Sequence, residues 1–254
     1  MLNILLYAYD EMGAIGYGAG GYGYYGFDWT YILVIIGGII TLIASANVKS
    51  TFAKYSKFRS EAGLTGEEVA KNILRNSGIY DVQVEHIRGN LTDHYDPKAK
   101  VLRLSDSVYG SSSISAISVA AHECGHAIQH SESYFPLQFR SAFVPFANFG
   151  SKVGIYVIIA GCIFGSFQPL ISIGILLFSL GMIFQIITLP VEFDASNRAL
   201  EILKDSGMLR GDENVAAKKV LKAAALTYVA SAAASVLSVL RLILRFNSRS
   251  NRRD

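Results

Sequence analysis

Charge is what this chain has least of. Only 17% of its 254 residues are Asp, Glu, Lys or Arg, whereas 51% are hydrophobic and the mean hydropathy is +0.34. Soluble domains carry roughly 25% charged residues, so the deficit argues against an ordinary soluble enzyme and for a membrane protein. Two cysteines, Cys124 and Cys162, make no disulfide framework. A net charge of only +3 offers no footing for nucleic acid. No Lys or Arg stands before Lys49, so the Gly- and Tyr-rich residues 13–27 lack the basic start of a secretory peptide. They read as an external tail, where tyrosines suit a membrane interface.

Long apolar runs fill the space that charge leaves. Residues 31–48 and 170–189 are uncharged and long enough to span a bilayer; residues 153–167 are uncharged but short. Gln168 and Pro169 join the last two as a tight turn, which reads as a membrane hairpin. Asp10, Glu11 and Asp28 precede the first run, while Lys49, Lys54, Lys57 and Arg59 follow it. The positive-inside rule therefore puts the N-terminus outside and the following segment in the cytoplasm. Arg140 and Lys152 flank the hairpin on that same side.

The expected organisation is an external tail (1–28), a first span (29–48), a cytoplasmic domain (49–152), a membrane hairpin (153–189), a helix and connector (190–222), and an Ala-rich helix with a basic tail (223–254). The run 223–240 is expected to lie in the inner interface or pack on the hairpin without crossing. A crossing would carry Arg245, Arg249, Arg252 and Arg253 outside. On the inside, that basic tail would meet anionic lipid headgroups.

Only five histidines are present, and two of them fall in His122-Glu123-Cys124-Gly125-His126. Residues 114–129 read as a helix with Ser111, Ser112 and Ser113 as possible caps. Four residues advance a helix by about 400°, so both imidazoles reach one metal ion. Two buried histidines and a glutamate on an otherwise apolar helix would be costly without a metal or partners. The spacing is that of zinc hydrolases, in which a carboxylate beside the metal acts as base on water. Glu123 occupies that place. The third ligand must come from the same side of the membrane. Glu192 emerges there directly after the hairpin, on a helix that Pro190 is expected to open and Gly207 to close. Asp194 is expected to pair with Arg198 four residues on.

The rest of the cytoplasmic domain reads as a small α/β addition. Thr65-Gly66-Glu67-Glu68 is a capping box opening an amphipathic helix that Gly78 ends. Strand material follows around Val82 and Val84 and over residues 101–104. The sheet either covers the catalytic helix or offers an edge to a substrate backbone. His94, between Asp93 and Asp96, is one candidate for stabilising a transition state; Arg198 and Tyr228 are the other donors, and the choice stays open. His130 is rotated about 80° from His122, and His86 reads as structural.

The order of a cytoplasmic His-Glu-x-x-His helix, a membrane hairpin and a Glu-x-x-Ala helix resembles the M48-type membrane-embedded zinc peptidases. Leu91-Thr92-Asp93-His94-Tyr95-Asp96-Pro97, Leu102-Arg103-Leu104-Ser105, the motif itself and residues 190–199 are similar to the bacterial YugP family of neutral zinc metallopeptidases, nearly throughout from about residue 29. The resemblance implies that His122, His126 and Glu192 bind Zn2+ and that Glu123 is catalytic. The acid that the M48 pattern places four residues after the ligand glutamate is Ser196 here. Ser196 or Asp194 would then have to orient a ligand histidine.

The fold expected is thus a mainly α polytopic membrane protein, with zincin-like catalytic helices and a small β element on the cytoplasmic side. The function expected is a zinc metalloendopeptidase of the cell membrane, acting at its cytoplasmic face on peptide or membrane-protein substrates. The rival is a catalytically silent zinc-binding scaffold. Glu123 argues against it, since a structural site gains nothing from a base and usually closes with a fourth Cys or His. Uncharged spans argue against a coupled transporter.

Overall fold

The computed structural model describes residues 28–250, with side chains to residue 246. Residues 1–27 of the expected external tail lie outside the described residues, as do the side chains of Arg249, Arg252 and Arg253. In chain order the elements are α1 (Tyr31–Tyr55), α2 (Gly66–Asn76), β1 (Gln83–Ile87), β2 (His94–Asp96), β3 (Val101–Ser105), α3 (Ile114–Ser131), α4 (Phe135–Ile163), α5 (Gln168–Asp205) and α6 (Asp212–Ser250). The protein is mainly helical. Among the described residues four helices, α1, α4, α5 and α6, are long and apolar enough to cross a membrane.

Helix α1 shows why a bilayer is needed. Ile35, Ile39, Leu42 and Ile43 are 50–68% exposed, a surface that lipid tolerates and water does not. Helix α5 is 38 residues long, or about 57 Å at 1.5 Å per residue. That is nearly twice the roughly 30 Å of bilayer hydrocarbon, so one helix both crosses and projects into the domain beyond. It runs unbroken through Pro190. Pro190 therefore does not open a new helix, as expected from sequence. In a membrane-derived helix, neighbouring groups compensate the backbone bond that proline removes. Helix α4 likewise begins at Phe135, well before the apolar run, and carries Pro145 internally. The α4–α5 hairpin is tight: a Cβ at Gly154 would stand 2.5 Å from the Phe178 backbone N. Small residues let two membrane helices approach this closely.

The domain between α1 and α4 packs on the projecting ends of α5 and α6. Thr65 and Glu68 form the reciprocal capping box that opens α2, and Val69, Ala70, Ile73 and Leu74 are the face it buries. Strand β3 is central in the order β1-β3-β2, parallel to β1 and antiparallel to β2. Strand β2 has three residues, too few to show alternation in the sequence. Leu102 and Leu104 of β3 enter one core with Val69, Ile73, Ile117, Ala121, Leu203 and Leu221. Helix α3 is capped by Ser113, whose side chain accepts from the Ala116 N–H, and Ser115 Oγ donates to the Phe52 carbonyl at 2.8 Å. The C-terminal end of α1 is thereby fixed to the motif helix.

Helix α6 packs on the second hairpin arm, α5, as one of the two expected placements had it, and it also runs along α1, which was not expected. It returns antiparallel along α1: Ala234 lies opposite Gly37, where a Cβ would be only 3.1 Å from the Ala234 Cα. At the far end Arg245 pairs with Asp28, Arg241 stands 3.7 Å from the same carboxylate, and the Arg241 guanidinium covers the Tyr31 ring at 3.8 Å. Helix α6 thus runs beside the first turns of α1, from Gly37 back to Asp28. Of the arginines that argued against a crossing, Arg245 is answered at this end by Asp28.

Candidate metal centre

Helices α3 and α5 build the site where they cross. His122 and His126, one turn apart on α3, aim their Nε2 atoms at the Glu192 carboxylate of α5. Glu192 Oε2 is 3.3 Å from His122 Nε2 and 3.5 Å from His126 Nε2. The three side chains are 4–12% exposed, and one ligand atom from each lies within 4.8 Å of the others. Glu192 Oε2 is fully buried and has no hydrogen-bond partner. A buried carboxylate oxygen facing two imidazole nitrogens is costly unless a cation joins them. Tetrahedral zinc with bonds of about 2.0–2.1 Å needs donor atoms about 3.4 Å apart, so these residues fit the ion. Burial opposes charge on His126, but the Glu192 carboxylate outweighs it and raises the pKa above the ordinary histidine value. A divalent cation would answer the same negative charge.

Close helix approach makes this convergence possible. Gly125, between the two histidines, lies against Ala195: a Cβ there would be 2.6 Å from the Ala195 carbonyl oxygen. Only a glycine admits the α5 backbone at that distance.

Each candidate ligand is held from behind. With Nε2 turned to the metal position, His122 Nδ1 meets Ser196 Oγ at 3.2 Å and His126 Nδ1 meets Gln129 Oε1 at 3.1 Å. The Gln129 amide donates onward to the Val191 carbonyl at 2.8 Å and to Asp194 Oδ2 at 2.7 Å. Arg198 donates to Asp194 and to Glu132, both at 2.6 Å. Ser196 and Asp194 thus serve different histidines, one directly and one through Gln129. On the third ligand, Arg140 Nη1 of α4 donates to Glu192 Oε1 at 3.1 Å.

Glu123 is 8% exposed and lies in the electrostatic field of His126. Tyr228, on α6, interacts with both Glu192 and Glu123. Among the three donors left open by the sequence, Tyr228 is therefore the one brought to the carboxylates. Arg198 is engaged by two acids and stacks at 5.6 Å on Tyr134. His94 contacts the Thr92 carbonyl and Arg103. Asp93 turns from His94 to take the Ser105 N–H and hydroxyl, and burial raises its pKa. His130 bonds Tyr95 and His86 bonds Asp106. Cys124, inside the motif, points into the core toward the Ala70 carbonyl, and burial pushes its thiol pKa far up.

Sequence reasoning missed Gln129 and took Arg140 only as a topology marker. Gln129 had a signal, standing three residues after His126 on the same helix face. Arg140 had a weaker one, as a lone charge in an apolar stretch.

The comparison with protein families agrees with this geometry. Residues 30–247 match the family described as "Putative neutral zinc metallopeptidase". The chain belongs to this family. It is 52% identical over 203 residues to "Putative membrane protease YugP" of Bacillus subtilis (strain 168), covering 80% of this chain and 90% of that protein. No solved structure matches. Membership makes zinc the metal that the His122, His126 and Glu192 group would hold, and the four long apolar helices accord with a membrane protein.

Proposed function

We propose that this metallopeptidase is a zinc-dependent endopeptidase that hydrolyses peptide bonds at the cytoplasmic face of the membrane. The observation that carries the reading is the buried Glu192 Oε2, which accepts no hydrogen bond and faces both imidazoles beside Glu123. Zinc, when bound, polarises the scissile carbonyl and acidifies water. Glu123 takes the proton from the attacking water and returns it to the leaving amine. The Tyr228 hydroxyl donates to the carbonyl oxygen as negative charge develops on it. Ser196, Gln129 and Asp194 keep the histidine rings turned so that each Nδ1 carries the proton and each Nε2 is free.

Depth and sidedness follow from helix length and charge. Glu192 lies about 36 Å along α5 from Gln168, just beyond the roughly 30 Å of hydrocarbon. Peptides and the water-exposed flanks of membrane proteins both reach such a depth. Lys49 and Lys54 lie in the last turns of α1 and Lys57 and Arg59 follow it, all on the side of the domain that holds the site, which favours its cytoplasmic placement. With four crossings among the described residues, the Asp28 end of α1 and the far end of α6 lie on the outer side.

The test is purified full-length protein in detergent, assayed on a quenched fluorescent peptide library and analysed for metal. Glu123→Gln is expected to retain about one zinc per chain and to lose at least ~100-fold in rate, while His122→Ala loses the metal as well. Full activity in Glu123→Gln would overturn the mechanism.

A further inference from the structure

We propose that Arg140 is a positioning residue that makes Glu192 a one-oxygen ligand and ties the metal site to the membrane hairpin. The inference rests on the zinc reading above. Arg140 comes from α4, the first arm of the hairpin, whereas Glu192 comes from α5, the second. Its Nη1 reaches Glu192 Oε1 at 3.1 Å while Oε2 of the same carboxylate faces His122 and His126. The Glu192 side chain is 4% exposed and that of Arg140 26%, so little water competes for the pair. A carboxylate whose one oxygen is engaged by a guanidinium presents the other to a metal. Without that bond, both oxygens can turn to the ion and fill the position that substrate and water require.

Glu192 thereby takes its orientation from outside its own helix. Ser196 and Gln129, the partners of the two histidines, lie on α5 and α3, so each histidine is set within the α3–α5 crossing. The Arg140 contact instead crosses between the hairpin arms. Along those arms Gly150, Gly154 and Gly174 admit backbone approach that a Cβ would block at 2.5–2.8 Å. Any shift of α4 against α5 moves the guanidinium relative to the carboxylate. Metal geometry is in this way sensitive to how the hairpin packs in the bilayer.

The experiment uses the full chain in detergent, as wild type, Arg140→Gln, Arg140→Lys and Arg75→Gln, the last a surface control on α2. Zinc affinity is read by chelator competition and coordination number by the visible absorption of the Co2+-loaded protein. Arg140→Gln is expected to bind zinc about 10–100-fold more weakly, and its Co2+ bands to weaken as the ion becomes five-coordinate. Arg140→Lys keeps a cation without the planar fork and is expected to fall between Arg140→Gln and wild type. A merely structural role would lower the melting temperature but leave the Co2+ spectrum of the folded protein unchanged. That result, or wild-type zinc affinity in both variants, overturns the proposal. If Arg140→Gln does not fold, the Arg140→Lys spectrum decides: unchanged bands refute it. If wild type itself binds no zinc, the zinc reading fails first and takes this inference with it.

Discussion

Gly125→Ala isolates what the closeness of α3 and α5 is worth. The added methyl would sit 2.6 Å from the Ala195 carbonyl oxygen and 3.1 Å from its carbonyl carbon and Cα. Ordinary contact begins near 3.4 Å, so the helices must separate locally by about 0.8 Å, and backbone has no rotamer with which to yield. Overpacking of this kind costs about 1–3 kcal/mol of fold stability. The effect on the metal is expected to be larger, because zinc sites keep their bond lengths within about 0.2 Å and Glu192 rides on the helix being pushed away. A displacement about four times that tolerance should weaken zinc binding by at least ~10-fold, as loss of an orienting partner does. Chelator competition and thermal melting, each with and without added zinc, measure the two effects separately. Gly38→Ala is the control, since a Cβ there meets nothing within 4 Å. If Gly125→Ala binds zinc as wild type does, the glycine is not what brings Glu192 to the histidines.

Two further outcomes are expected. Cys124 is buried against Ala70, with its pKa raised by burial, so it remains a protonated thiol across the working pH range. In a Cys162→Ala background it should resist alkylation at pH 8 in the native state and react fully in denaturant; rapid native labelling would mean that the motif helix is not packed as described. For topology, a reporter fused after Asp254 should be active only in its external form, because α6 returns to the Asp28 end of α1. A cysteine at Lys57, in a chain lacking Cys124 and Cys162, should be closed to impermeant thiol reagents in intact cells. Cytoplasmic activity of that reporter would overturn the four-span path.

Composition and local pattern were enough for the membrane class, the helix bearing His122, Glu123 and His126, the Thr65–Glu68 capping box and the Asp194–Arg198 pair. Each depends on residues at most a few positions apart, or on an average over a long run, and both are properties of a linear string. The nomination of Glu192 needed only the sidedness of the hairpin. The partners of each ligand were a different matter. That Gln129 reaches Asp194, that Arg140 grips Glu192 from another helix, and that Tyr228 rather than Arg198 or His94 faces the carboxylates all depend on contacts between residues 36 to 65 or more positions apart. The run of α6 along α1 was hidden for the same reason: the charge rule counts Arg245 as a free cation, whereas folding sets it on Asp28, over 200 residues earlier in the chain. Local sequence dictates where a helix forms and which residues share its face. Which face of another helix it meets is decided only when the whole chain packs, because that choice is made by steric fit and by the burial of polar groups across helices.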